Sequence, residues 1–276
     1  IFYEMFFEDA ITASAILNLT LTKRNAIPMC GVPYHSAEGY IQRLIREGKR
    51  VAIAEQTSEP IPGKLVEREI AQIITPGTVM DLNLLESRRN NFLAAVWQEK
   101  NRWGLAWLDH TTGEFRVAEY PDHTALMEAL GRVAPAETLV AEDQLATFGC
   151  IKGAVPLEAW PFLHDQAKHS LLTHFKVQSL DGYGCAGMRA GLCAAGGVLH
   201  YVKEVLRRKV DHLRRLRTAT DDTTVLIDAA SRSNLDLVQS RGGPEHTLLG
   251  AMDRTATPMG ARRLREWILE PLRGLK

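Results

Sequence analysis

The stretch from Phe92 to Ala141 limits the possible folds of this chain more than any other. Three apolar runs, Phe92–Trp97, Trp103–Leu108 and Phe115–Glu119, follow one another, and the polar turn Thr111-Thr112-Gly113-Glu114 separates the last two. Short apolar runs bounded by turn residues read as strands, so this spacing predicts a meander. Ala125–Val133 then reads as a helix and Thr138–Ala141 as a further strand. The class is therefore α/β.

The flanking blocks differ in character. Residues 1–92 read as mixed α/β, with a helix-favouring composition from Asp9 to Leu17. Ser36 is placed to cap a helix carrying Tyr40, Ile41, Leu44 and Ile45 on one face, with Gly48 as its stop. Strand-like runs follow at Val51–Ala54 and Ile70–Ile74, and Thr75-Pro76-Gly77-Thr78 turns the chain out of the second. Asp81–Asn91 is polar and reads as a link. Farther on, Leu192, Ala195, Leu199, Val202 and Leu206 recur at helical spacing, marking a long helix that runs into the basic segment Lys203–Arg217. The last block is mostly helical. Thr257-Pro258 supplies a cap and a first-turn proline to a helix presenting Leu264, Trp267 and Ile268, and Pro271 follows it. The chain opens without Met inside an apolar patch and stops at Lys276 without a closing element, so both ends read as truncations.

With 276 residues the chain has room for two domains and the start of a third. Thirty-three basic side chains balance thirty-three acidic ones, which excludes a uniformly cationic nucleic-acid coat but not a local site. The charge is uneven: ten basic against eleven acidic residues in 1–92, eight against twelve in 93–202, and fifteen against ten in 203–276. No run of eighteen apolar residues occurs, so no transmembrane helix is expected. Cys30, Cys150, Cys185 and Cys193 show no C-x-x-C spacing and read as free thiols packed as small hydrophobes in a reducing compartment. His164, His169 and His174 recur every five residues, which spreads them around a helix and argues against a shared metal.

Most catalytic signatures are missing. No G-x-x-x-x-G-K-[ST] loop, G-x-S-x-G elbow or H-E-x-x-H motif occurs. The glycines between Gly184 and Gly197 run into a helix with no strong strand before them, so close helix packing explains them better than phosphate binding. Three sequential strands, a helix and another strand outline an RNase H-like sheet. Asp109, at the end of its second strand, and Glu142 or Asp143, at the end of a later one, could converge there to hold two Mg²⁺ ions as a nuclease. The plainer reading is that strand ends collect exposed acids. At the start of the chain, Phe2 and Glu4 share one face if Phe2-Tyr3-Glu4 is extended, because side chains alternate.

Several stretches resemble the MutS family of DNA mismatch-repair proteins. They are Phe2-Tyr-Glu-Met-Phe-Phe-Glu-Asp-Ala10, Leu21-Thr-Lys-Arg24, Ile27-Pro-Met-Cys-Gly-Val-Pro-Tyr-His35, Val51-Ala-Ile-Ala-Glu-Gln56 and Ile74-Thr-Pro-Gly-Thr78. Ile227–Leu235 and Leu248–Leu272, including Asp253-Arg-Thr-Ala-Thr-Pro-Met-Gly260, continue the match in order. The resemblance implies three parts. Residues 1–90 would be a mixed-sheet mismatch-binding domain, 91–219 an RNase H-like α/β connector, and 220–276 the start of an all-α core.

In the family, the phenylalanine of a Phe-x-Glu motif wedges into the minor groove beside a mispair, and the glutamate hydrogen-bonds the displaced base. Those roles fall on Phe2 and Glu4, although Ile1 stands where the family usually has Asp. Lys23, Arg24 and His35 are second candidates, for the DNA backbone. The expected ligand is double-stranded DNA with mispairs or small loops. Expected partners are a MutL-like protein and, for the full-length family, a second copy. The family's ATPase, with its ATP and Mg²⁺, lies outside these residues, so no cofactor and no turnover are expected of this chain. The expected location is the bacterial cytoplasm, on the nucleoid when DNA is bound, with no membrane contact. Two alternatives remain: the metal-dependent nuclease, and a protein-docking module suggested by the near-neutral first 92 residues.

Overall fold

The computed structural model describes residues 2–58, 66–78, 90–219, 224–225 and 227–274. Most of the link read at 81–91 therefore lies outside the described residues. The chain divides into two compact units, residues 1–76 and 77–276.

The first unit runs β1 (Phe2–Phe6), α1 (Phe7–Leu17), β2 (Thr22–Arg24), β3 (Ile27–Pro33), α2 (Ala37–Arg46), β4 (Val51–Gln56) and β5 (Arg68–Ile74). An antiparallel sheet has the order β1-β3-β2, and β4 pairs with β5 in a separate hairpin. Ala10, Ala13 and Leu17 of α1 pack on Cys30 and Val32 of β3, with Ala37 and Leu44 of α2 beside them. Small residues at three-residue spacing give α1 a flat face that comes close to the sheet. The two helices read from the sequence are both present. Gly48 stops the second as expected, at a φ of +73° that favours glycine. Ser36 does not cap it. Tyr34–Ser36 form a 3-10 turn, and the Ser36 hydroxyl donates back to the Pro33 carbonyl at 3.4 Å.

The second unit runs β6 (Phe92–Glu99), β7 (Arg102–Asp109), β8 (Glu114–Tyr120), α3 (His123–Val133), β9 (Glu137–Ala141), β10 (Val155–Leu157), α4 (His164–Phe175), α5 (Arg189–His200), β11 (Leu216–Thr218), α6 (Ala229–Asn234), α7 (Leu248–Met252) and α8 (Pro258–Leu269). Its sheet has the order β10-β9-β6-β7-β8-β11. The predicted meander β6-β7-β8 is antiparallel, while β9 runs parallel to β6, β10 to β9 and β11 to β8. Strand alternation gives the sheet two apolar faces. Ala94, Val96, Leu105, Trp107, Ala118 and Tyr120 meet Leu126, Ala129 and Leu130 of α3. The other face carries α5, which is buried along nearly its whole length, with α4 packed against it.

The glycines do pack closely. A Cβ on Gly104 of β7 would lie 2.0 Å from the Ala190 carbonyl oxygen of α5. One on Gly197 would lie 2.4 Å from the Phe162 ring. The helix read through Leu206 is α-helical only to His200 and continues as a wider π-turn over Tyr201–Val205. Arg207, at a φ of +51°, then ends it, so most of the basic segment is irregular chain up to β11. Thr257 caps α8 as predicted, accepting from the Gly260 N–H at 3.1 Å. Leu264 and Ile268 are half-buried, but Trp267 stays exposed, with the Arg263 guanidinium 5.5 Å from its ring centre. Arg116 of β8 holds α8 to the sheet through Glu266 at 2.6 Å. Burial works against charge on Glu266, yet Arg116 and Arg263 hold its carboxyl below the usual range.

Candidate DNA-contact face

In β1 the alternation of side chains decides what is buried. Tyr3 and Met5 face α1 and join the core of the first unit, which leaves Phe2 and Glu4 on the opposite side. The register sets Phe2 against Pro33 and Glu4 against Gly31. Gly31 matters because it carries no side chain between them. A Cβ there would lie 3.8 Å from Phe2 Cδ1 and 3.9 Å from Glu4 Cγ. The two candidate side chains thus flank one bare patch of backbone. Phe2 is 63% exposed, a large fraction for an aromatic side chain with a core available on the other face.

Glu4 is not idle. Its Oε2 accepts from Arg24 Nη1 at 2.9 Å, a bond that reaches over β3 from the far strand β2. An exposed ion pair of this kind contributes about 0–1 kcal/mol, so it orients Glu4 without committing it. The backbone candidates separate by register. Arg24 pairs with Ile27 and shares the face of Phe2 and Glu4, whereas Lys23 pairs with Pro28 and lies on the other face. Both are exposed, as is His35 in the turn that follows β3.

Sequence reasoning missed Tyr3. Its hydroxyl donates to Glu55 of β4, and its ring lies 5.4 Å from that of Tyr34. The bond to Glu55 stabilises the protonated phenol and raises Tyr3 to about 12. Tyr3 therefore pins β1 from behind while Phe2 and Glu4 project in front. Its partner lies 52 residues away, and no local pattern announces it. Phe7, at the bend from β1 into α1, has a φ of +53° and is 62% exposed. A positive φ is uncommon for a bulky residue and marks a strained corner beside the exposed pair.

The nuclease reading fails on register. Asp109 ends β7 opposite Phe92, the first residue of β6. Glu142 and Asp143 follow β9, whose last residue paired with β6, Val140, lies opposite Val96 near the other end of that strand. The carboxylates sit at opposite ends of the sheet. Asp109 is also fully buried and engaged by its own turn, accepting from the Thr111 N–H at 2.9 Å and the Thr111 hydroxyl at 2.6 Å. That is a turn-capping aspartate. Among the described residues no group of three or more histidines, cysteines, aspartates or glutamates could hold a metal ion. All four cysteines are free. Cys30, Cys185 and Cys193 are buried as read, while Cys150 is exposed. Burial pushes the Cys193 thiol up to about 12.

Comparison with known proteins bears on the family of the chain. The description "MutS domain I" matches residues 1–83, "MutS domain II" residues 91–214, and "MutS domain III" residues 230–276. The chain is 43% identical over 285 aligned residues to the DNA mismatch repair protein MutS of Protochlamydia amoebophila (strain UWE25). That alignment covers 98% of this chain and 33% of the relative, so the chain spans about a third of the relative's length. Matches this extensive, in this order, make the chain a member of the MutS family, carrying its domains I, II and III.

Proposed function

We propose that this chain recognises mispaired or looped double-stranded DNA in mismatch repair by inserting Phe2 into the minor groove, with Glu4 hydrogen-bonded to the displaced base. The observation that carries the reading is the exposure of Phe2 beside Glu4 on an open sheet face. An apolar wedge must unstack a base step, which costs a few kcal/mol, and a mispaired step begins less well stacked. Selectivity then comes from the deformability of the DNA more than from base reading. Glu4 adds a penalty against matched DNA, where its carboxylate meets phosphates and no displaced base offers a donor. Arg24 is placed to leave Glu4 for a phosphate, because their ion pair is weak, and His35 is a further backbone contact.

The domain reading follows from the same family. Residues 1–90 form the mismatch-binding domain, 91–219 a connector and 220–276 the opening of the helical core. The strand order of the second unit supports an RNase H-like connector: three antiparallel strands, then two parallel ones beyond the first. The connector serves communication between domains and docking of a MutL-like protein. ATP and Mg²⁺ are the cofactors of the ATPase of full-length family members, and no phosphate-binding loop of that kind occurs in these 276 residues. Full-length members of the family work as homodimers in the cytoplasm, on the nucleoid when bound to DNA. No helix among the described residues is long and apolar enough to cross a membrane.

Equilibrium binding tests the reading with a duplex carrying one unpaired base and its matched counterpart at fixed low salt. The parent chain prefers the unpaired base. Phe2→Ala removes that preference by weakening the lesion duplex at least tenfold, about 1.4 kcal/mol. Glu4→Ala narrows the preference by strengthening matched binding. Equal affinity of Phe2→Ala and the parent for the lesion duplex defeats the wedge. A chain that binds neither duplex favours the docking-module alternative.

A further inference from the structure

We infer that the second unit carries a separate binding site for a chain of phosphate groups, in an arginine-lined cleft between the β8–β11 edge and α8. The cleft has a volume of about 480 Å³, and six arginines line it against two glutamates. Both glutamates are already engaged: Glu114 and Glu266 hold Arg116, and Glu266 also holds Arg263 at 2.6 Å. Arg214, Arg215, Arg217 and Arg262 have no carboxylate in reach among the described residues. Among the described residues the cleft therefore has four arginines without a carboxylate partner.

One further detail suits an anion-binding cleft. The Nε of Arg262 is buried without a hydrogen-bond partner, which costs the folded chain free energy. An anion in the cleft would supply one. The lining contains no lysine, and the planar guanidinium fork matches phosphate oxygens two at a time. Several forks around one concavity suit consecutive phosphates better than one isolated ion. This site is distinct from the face around Phe2, and the inference does not depend on the mismatch-binding reading. Its source of phosphates is either a DNA backbone or a free polyphosphate.

Calorimetric titration of inorganic tripolyphosphate into the 276-residue chain at 0.15 M salt tests the assignment. The expected result is saturable binding, weakened at least tenfold in Arg214→Gln/Arg217→Gln. A control of equal charge change, Lys152→Gln/Lys168→Gln, stays within twofold of the parent. All four positions are exposed, so neither variant disturbs the core. No saturable binding, or equal weakening in both variants, overturns the site. Hexaglutamate binding as tightly as tripolyphosphate overturns its phosphate character. A matched duplex that competes with tripolyphosphate and loses affinity in the cleft variant names DNA as the source. A duplex that leaves tripolyphosphate binding unchanged names a free polyphosphate.

Discussion

Phe2 could have been buried by a shift of one residue in β1, and the register forbids that shift. Moving the strand by one position would bring Phe2 and Glu4 to the α1 side and expel Tyr3 with its bond to Glu55. The aromatic thus stays in solvent because its neighbours hold the strand. The same register separates two adjacent cations. Arg24 shares the face of Phe2, and Lys23 does not. For binding to a lesion duplex, Arg24→Ala is expected to lower the slope of log affinity against log salt by about one, the release of one counterion. Lys23→Ala leaves the slope unchanged. A salt titration giving both variants the same slope would remove Arg24 from the contact face. The Phe2–Glu4 pairing was legible in the sequence because alternation is local. The Arg24 bond to Glu4 was not, because it spans three strands whose order no local pattern encodes.

At the scale of elements, the meander β6-β7-β8, helix α3 and strand β9 were legible, because long apolar runs and turn residues coincide there. The hairpin β2–β3 was not read as one. Its two-residue turn is Asn25-Ala26, both at positive φ, where the usual signal is Asn-Gly. Alanine hides the turn from sequence reasoning and strains it. The short edge strands β10 and β11, of three residues each, are likewise too brief to show periodicity. The close approach of β7 and α5 was half legible: the glycine-rich helix pointed to tight packing, but not to its counterpart Gly104. Because the obstructing atom there is backbone, Gly104→Ala is expected to lower stability by about 1–3 kcal/mol or more. Urea unfolding measures this. A loss under about 0.5 kcal/mol would show that the layers separate freely.

For the molecule as a whole, one buried group makes stability depend on pH. His110 is 1% exposed, its ring nitrogens have no hydrogen-bond partner, and His212 lies 4.7 Å from its ring centre. Burial, then the neighbouring His212 and Arg208, push His110 down to about 4, against the pull of Asp109. An unfolded histidine takes up its proton near pH 6.5. Its contribution is therefore fully present above pH 6.5 and is lost as the pH falls to about 4, by about 3 kcal/mol. Unfolding at pH 7.0, 5.5 and 4.5 should show a steeper loss for the parent than for His110→Phe. Parallel curves would contradict it. No sequence pattern revealed this pair, since His110 and His212 stand 102 residues apart.

Chain-wide order and spacing identified the family where short motifs could not. The wedge requires more than family membership: Phe2 must physically open a base step. The most direct test places 2-aminopurine beside a single unpaired base and follows its fluorescence as the chain binds. Stacking quenches this base analogue, so fluorescence is expected to rise when the parent binds and not when Phe2→Ala is bound to saturation. A matched duplex gives no rise with either. Unchanged fluorescence with the parent bound, or the same rise with Phe2→Ala, would contradict the wedge.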